Sequence, residues 1–455
     1  MPAELEARAI ELAKDRGDFI ELGTKAARFT QLIERHHRTP EGLYAYRVPF
    51  PYQDAPPAAV CCDALGWTAL LAVAQALEMR VQPTEDALLR LEQTLRGLDH
   101  LARISGTKGL LARTMIAFDE AKLEQSCGPR CWVQGTGSHR GLDYSQYLWK
   151  NDNAKAQVQY WLFALRMGLP LVRDEALRAD LLDDVRAVCQ RIATADFYLT
   201  EADGRRTRFG DLNPAARGRC SWFLGLCIRS PVDLWPFCDF AVGPNAVETA
   251  CLARVHDQLL DGSGIPHESL YDLKMRRRAP ELISEGFYRV PGWVRYDNEF
   301  LAAVGLWCLL ETDPGGELEA AVLKALRSHW RLHQHDRNTL FNLIALKAGV
   351  VPEQEREKAL REALFSLQIY PSDRVVHSID RRKHELVRRP LNSSRRAAHP
   401  LPINLMASSS IVWHCDPAEL VKRCCADGEL ANGSMDYLLA WWLYRDLVAL
   451  ERMSR

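Results

Sequence analysis

The chain has 455 residues, of which 47% are hydrophobic and 26% are charged, and its formal net charge is −1. These values are ordinary for a globular protein. The near-zero charge gives no electrostatic case for binding nucleic acid or an anionic membrane, so we expect neither as a partner.

The chain contains no apolar run as long as the ~18 residues of a membrane helix, and its first residues contain no apolar signal region. Thirteen cysteines are present, an odd number, and most lie inside apolar helical segments. Free buried thiols favour a reducing compartment. We therefore expect a cytoplasmic protein.

Helical periodicity dominates the chain in order. Helices are predicted over residues 4–16, 20–38, 63–79, 84–104, 154–168, 174–196, 215–229, 246–260, 298–311, 317–333, 337–348, 354–367 and 435–450. Long irregular stretches are predicted over 39–61, 105–150, 261–296 and 368–433, the last with a short hairpin or helix near 417–425. Long connections inside a compact domain are usually functional.

About a dozen helices, joined alternately by short turns and long loops, favour a closed ring of six helical hairpins. This all-α arrangement, an (α/α)6 toroid, would bury its inner helices and gather the long loops at one rim. No linker marks a domain boundary, so we expect a single domain over residues 1–455.

A polar cluster runs into a helix at residues 149–161, where Trp149, Asp152 and Asn153 precede an apolar segment. Asp152 or Asn153 is suited to cap this helix, since a side-chain oxygen there would accept from unsatisfied N–H groups. Similar polar helix starts occur at residues 296–300 and 433–437. We expect these helix starts to face one shared cavity.

Several segments resemble the six-hairpin glycosidase superfamily, in particular a bacterial branch associated with polysaccharide use. The matching segments are residues 99–106, 109–113, 149–157, 203–207, 328–330, 338–342, 390–395 and 435–442. The resemblance spans most of the chain and implies an (α/α)6 toroid that degrades carbohydrate. The chain departs from it after Asp152, where family members often carry a second acidic residue and this sequence has Asn153, Lys155 and Gln157.

Glycosidic hydrolysis commonly needs two carboxyl groups, one as acid and one as base or nucleophile. We predict Asp152 as the acid and Asp297 or Glu299 as its partner. Asp63 begins another inner-looking helix, and helix capping explains it equally well. The reaction would be hydrolysis of an oligosaccharide, with uronic-acid sugars as one substrate class.

Substrate contacts are predicted for aromatic side chains and arginines. Trp149, Trp293 and Tyr296 would stack on sugar rings, and Arg113 and Arg395 would bind a sugar carboxylate. Asn392, beside Arg395 in one of the matching segments, is also predicted to bind substrate.

Two alternatives stay open. A polysaccharide lyase would use His139 and Tyr144 to abstract a proton beside a carboxylate, and a catalytically silent toroid would only bind glycans or a protein. Fold alone does not separate these functions.

No metal or cofactor is expected. Cys127 and Cys131 form half of a zinc motif with only His139 nearby. His333, His335 and Asp336 are poorly spaced for a metal, because positions i and i+2 do not share a helix face. The P-loop, dinucleotide, nucleophile-elbow and HExxH motifs are absent from the sequence.

Overall fold

The computed structural model describes residues 3–52, 63–118, 132–213, 242–275, 279–285, 296–384, 387, 396–406, 411–422 and 428–453. This part of the chain is mostly helical, which confirms the all-α prediction at that level. Its α-helices are α1 (Ala3–Asp15), α2 (Leu22–Leu32), α3 (Ala64–Val81), α4 (Glu85–Arg103), α5 (Lys155–Gly168), α6 (Glu175–Thr194), α7 (Val242–Leu260), α8 (Leu270–Lys274), α9 (Ala279–Glu285), α10 (Tyr296–Thr312), α11 (Glu319–His333), α12 (Thr339–Lys347), α13 (Glu353–Gln368) and α14 (Met435–Met453).

Short strands lie between the helices, most of them in the stretches predicted to be irregular. They are β1 (Arg47–Pro49), β2 (Met115–Ala117), β3 (Trp132–Gln134), β4 (Ser138–His139), β5 (Leu142–Asp143), β6 (Tyr147–Lys150), β7 (Tyr198–Thr200), β8 (Arg206–Asp211), β9 (Ile379–Asp380), β10 (Val421–Lys422) and β11 (Leu430–Asn432). β2, β6 and β3 form an antiparallel sheet, and the other strands pair as β1–β11, β4–β5, β7–β8 and β9–β10.

Six helices contact one another in a closed sequence. α3 packs on α5, α5 on α7, α7 on α10, α10 on α12, α12 on α14, and α14 returns to α3. Five further helices contact these six, with α2 against α14, α4 against α3, α6 against α7, α11 against α10 and α13 against α12. We call the six the inner helices and these five the outer helices.

The distribution of apolar residues explains why α3 and α10 are inner helices and α4 is an outer helix. Every residue of α3 from Ala64 to Leu77 is buried, and α10 is buried over most of its length. A helix that is apolar all round needs neighbours on all sides. α4 is amphipathic instead, and the predicted leucine face of Leu88, Leu91, Leu95 and Leu98 is buried.

The predicted helix bounds agree closely with the structure for the described segments. The predicted segment 20–38 becomes α2 followed by a π-helix at Ile33–His37. The predicted helix at 215–229 lies outside the described residues. Among the described residues, no helix is both long and apolar enough to cross a membrane.

Candidate functional site

Charged residues lie at the N-terminal ends of four inner helices. Asp63 immediately precedes α3, Lys155 is the first residue of α5, Glu248 lies in the second turn of α7, and Asp297 lies in the first turn of α10. N–H groups at a helix start favour nearby negative charge. These residues define the candidate site.

Arg113 joins two carboxylates of this region. Its Nη2 and Nε atoms lie 2.5 Å and 2.7 Å from Oδ1 of Asp63, and its Nη1 donates to the backbone carbonyl of Asp152 at 3.0 Å. The carboxylate of Asp152 lies 3.9 Å from the same Nη1. These contacts explain the position of the Arg113 guanidinium without the substrate carboxylate that the sequence predicted as its partner. Asp63 and Asp152 remain about a quarter exposed, at 28% and 25%.

Asp152 is not the helix cap that the sequence predicted. α5 begins at Lys155, and Ala154 is in the N-cap position with no side-chain cap bond. Asp152 instead has a φ of 75°, a left-handed backbone conformation that Asp and Asn tolerate better than most residues. Its Oδ1 accepts from the backbone N–H of Arg208 at 3.4 Å. This backbone turn places the Asp152 carboxylate beside Arg113 rather than over the helix start.

Gln157 connects α5 to the start of α3. Its Oε1 accepts from the backbone N–H of Gly66 at 2.5 Å, and its Nε2 lies 3.4 Å from Oδ1 of Asp63. A Cβ atom at position 66 would lie 2.5 Å from that Oε1, so this close approach requires glycine. The buried amide therefore helps to orient Asp63.

Tyr160 and His414 lie within the electrostatic reach of both Asp63 and Asp297. Burial lowers the pKa of His414, while the negative charges of Asp297 and Asp63 act to raise it. Burial also raises the pKa of Tyr160 well above its usual value, and the charges of Glu248, Asp297 and Asp63 raise it further. The charges of Asp63 and Asp297 therefore both act on Tyr160 and His414.

Four rings pack together at this point, and we call them the aromatic cluster. The ring of Trp67 lies 6.3 Å from Tyr160 and 6.1 Å from His414. Phe300 lies 6.1 Å from Tyr160 and 5.7 Å from His414. Edge and stacked contacts of this kind hold rings in fixed orientations.

Lys155 and Glu248 form an ion pair between α5 and α7. The Lys155 Nζ lies 2.8 Å from Oε2 of Glu248 and also donates to the side chain of Asn245. Burial raises the pKa of Glu248, and Lys155 opposes this effect. Glu248 is only 1% exposed, so this ion pair is a buried contact between the two helices.

Glu299 and Tyr296 of α10 contact residues of α11 and α12. Glu299 is buried against His329 and His333 of α11. Tyr296 is buried against His333 and Phe341, and its hydroxyl donates to Asp336 at 3.3 Å. The predicted stacking of Tyr296 on a sugar is wrong, because packing covers its ring.

The predicted stacking of Trp149 is also wrong. Trp149 lies in β6, between β2 and β3, and is 1% exposed. Trp293, Asn392 and Arg395 lie outside the described residues, as do Cys127 and Cys131.

His139 and Tyr144 belong to a network on the outer helix α4. His139 Nε2 lies 2.8 Å from Oδ2 of Asp99, and the Tyr144 hydroxyl bonds Nδ1 of His100 at 2.9 Å. Burial raises the pKa of the Tyr144 hydroxyl, which disfavours the phenolate form that would act as the base. The structure brings these residues near each other but ties them to α4 rather than to Asp152 or Asp297.

Sequence reasoning missed Glu248, Tyr160 and His414. Glu248 and Tyr160 lie inside apolar helices, and His414 lies in a long irregular stretch, so no local pattern distinguishes them from core residues. In comparisons with protein-family models, curated proteins and solved structures, nothing matches the chain.

Proposed function

We propose that the chain is an (α/α)6 toroid of six helical hairpins. The closed sequence of contacts through α3, α5, α7, α10, α12 and α14 supports this arrangement, as do the outer helices packed against them. The resemblance to six-hairpin glycosidases implies the same architecture.

We infer that this toroid is a glycoside hydrolase acting on an oligosaccharide, with uronic-acid sugars as the first class to test. The observation that supports the inference is that the charges of Asp63 and Asp297, at the starts of two inner helices, both act on His414 and Tyr160, whose rings belong to the aromatic cluster. Two carboxyl groups facing one another across a site are what glycosidic hydrolysis requires.

Asp297 is the carboxyl on one side of the proposed site, and Asp63 with Asp152 is the carboxyl pair on the other. Because Arg113 contacts both Asp63 and Asp152, either can lie opposite Asp297 as acid or base. Glu299 is left out of this assignment, since its carboxylate is directed toward α11.

The test is a screen of acidic and neutral oligosaccharides for newly formed reducing ends. Asp297→Asn, Asp63→Asn and Asp152→Asn would each be compared with the wild type. Asp261→Asn is the control, because its side chain is 75% exposed at the end of α7. A catalytic carboxyl typically contributes ~10²–10⁴-fold. Asp297→Asn, and either Asp63→Asn or Asp152→Asn, should therefore lose that much activity.

Two other outcomes would replace the hydrolase proposal. An absorbance gain from a new C=C bond would identify a lyase. Glycan binding without turnover would identify a silent toroid. Full activity in Asp297→Asn would remove the proposed mechanism.

A further inference from the structure

Two histidines and a glutamate form a compact buried cluster between an inner and an outer helix. His329 and His333 lie four residues apart on α11 and so share one face of that helix. Glu299 of α10 faces them, with its Oε2 3.6 Å from Nε2 of His329 and 3.2 Å from Nε2 of His333. All three residues are buried.

The three donor atoms are spaced as metal ligands are. Zinc binds imidazole nitrogen and carboxylate oxygen at ~2.0–2.2 Å in tetrahedral sites, which places neighbouring ligand atoms roughly 3.3–3.5 Å apart. The two separations to Glu299 Oε2 bracket that range. A site with two neutral imidazoles and one carboxylate also suits the donor preference of zinc and its neighbours in the first transition row.

Asp336 contacts the second ring nitrogen of His333, the one that does not face Glu299. His333 Nδ1 lies 2.5 Å from Oδ2 of Asp336, and the Tyr296 hydroxyl donates to the same oxygen. A carboxylate on Nδ1 fixes the tautomer in which the Nε2 lone pair is available, as it does for histidines that bind metals. Phe341 packs on His329 and His333, with ring centroids 4.7 Å and 5.3 Å away, and restricts both rings.

A second group of candidate ligands, Asp99, His139 and Asp180, has a different environment. Arg140 contacts both carboxylates, and Arg103 contacts Asp99 at 2.8 Å. Two guanidinium groups already supply the positive charge that a metal would bring. For this reason we choose the cluster of Glu299, His329 and His333 as the metal site.

We propose that Glu299, His329 and His333 bind one divalent transition-metal ion of the zinc class. The ion links α10 to α11 and stabilises their packing. Three protein ligands leave a further coordination position for water or another donor. The proposal does not depend on the hydrolase activity, because metal binding is measured directly.

The experiment begins with the full chain purified without a metal-affinity tag. Its metal content is measured by inductively coupled plasma mass spectrometry, before and after treatment with a chelator. Zn²⁺ is then titrated into the stripped protein against a chromogenic chelator, and Tm is recorded with and without Zn²⁺. We expect one Zn²⁺ per chain and a Tm that falls on stripping and recovers on addition.

His333→Gln and Glu299→Gln should lose stoichiometric binding and the Tm response. His335→Gln is the matched control, since His335 is exposed two residues further on. Co²⁺ should give tetrahedral d–d absorption in the wild type and in the control but not in His333→Gln. If the stripped wild type neither binds Zn²⁺ nor gains Tm, the proposal is overturned and the cluster is a buried histidine–carboxylate ion pair. Because that measurement uses only the wild type, it does not depend on whether any variant folds.

Discussion

Arg113 Nη2 lies 2.5 Å from Oδ1 of Asp63, and this ion pair ties the loop after α4 to the start of α3. The same guanidinium donates to the backbone carbonyl of Asp152. One arginine therefore sets the relative position of two carboxylates at the candidate site. Removing it tests both the packing of the site and the proposed chemistry.

Arg113→Gln should lower the free energy of unfolding by about 1–3 kcal/mol, because partly buried carboxylates lose a charged donor. Under the proposed function it should also lower kcat, since Asp63 and Asp152 lose their fixed positions. Urea unfolding and the oligosaccharide screen measure the two effects. Arg205→Gln is the control, because Arg205 is 77% exposed in its ion pair with Asp203, and no measurable change is expected there. Equal behaviour of the two variants would contradict the role of Arg113.

Asp184 should make stability depend on pH. Burial, together with the nearby charge of Asp99, raises its pKa to about 8 against the opposing charge of Arg103. Between its usual pKa of 3.8 and about 8, the folded chain retains a proton that the unfolded chain has released. The wild type therefore loses stability as pH rises through this window.

Asp184→Asn should flatten that dependence, since the amide has no proton to release. Urea unfolding at several pH values between about 4 and 8 gives the slope. Asp380→Asn is the control. Hydrogen bonds from the side chain and backbone N–H of Arg382 lower the pKa of Asp380 to about 2, so this variant should keep the wild-type slope in that window. A wild-type slope in Asp184→Asn would rule out the assignment.

The helices were predictable because apolar periodicity is a local signal. The leucine face of α4 and the fully apolar α3 appear directly in the sequence, and the structure buries both. The strands were not predictable in the same way. β2, β3 and β6 are three or four residues long and pair across wide sequence separations, so no single segment carries a pattern of useful length.

The site was less predictable than the fold for two physical reasons. Asp152 follows the sequence rule for a cap but adopts a left-handed backbone, which moves its carboxylate to Arg113. Glu299 is two residues from Asp297, and on a helix that spacing directs the two side chains to different neighbours. The His329–His333 spacing was visible in the sequence, whereas the approach of Glu299 is set by the packing of α10 on α11.

Lys25 should be an important stabilising residue of the C-terminal end of α13. Its Nζ donates to the carbonyl oxygens of Leu367, Gln368 and Tyr370 at 3.2, 2.8 and 3.0 Å, and the side chain is buried. Carbonyl groups at a helix end have no partner within the helix. Lys25→Met keeps the apolar stem but removes the donor, and should lower the free energy of unfolding by about 2–4 kcal/mol.

Urea unfolding followed by circular dichroism measures this loss. Lys358→Met is the control, because Lys358 lies on α13 itself in a 3.5 Å surface pair with Glu355. The control should change stability by less than about 0.5 kcal/mol. A loss of similar size in both variants would show that the carbonyl contacts of Lys25 contribute little.

Gly66→Ala tests the close approach of α3 to Gln157. The new Cβ would lie 2.5 Å from the Gln157 Oε1, which already accepts the Gly66 N–H. Because Gln157 is buried and also contacts Asp63, its side chain has little freedom to move away. The substitution should cost about 1–3 kcal/mol through overpacking.

A double-mutant cycle separates this clash from any general effect of alanine at position 66. In a Gln157→Ala background the facing oxygen is gone, so Gly66→Ala should cost much less than in the wild type, with a coupling of about 0.5–3 kcal/mol. Gly168→Ala is the independent control, since the nearest atoms to its Cβ would be methyl groups of Leu95 at 3.2 Å and 3.4 Å and of Leu91 at 3.6 Å. Equal costs for Gly66→Ala in both backgrounds would show that contact with Gln157 is not the reason for glycine. A coupling in the expected range would establish that contact with the Gln157 amide is the reason for glycine at position 66.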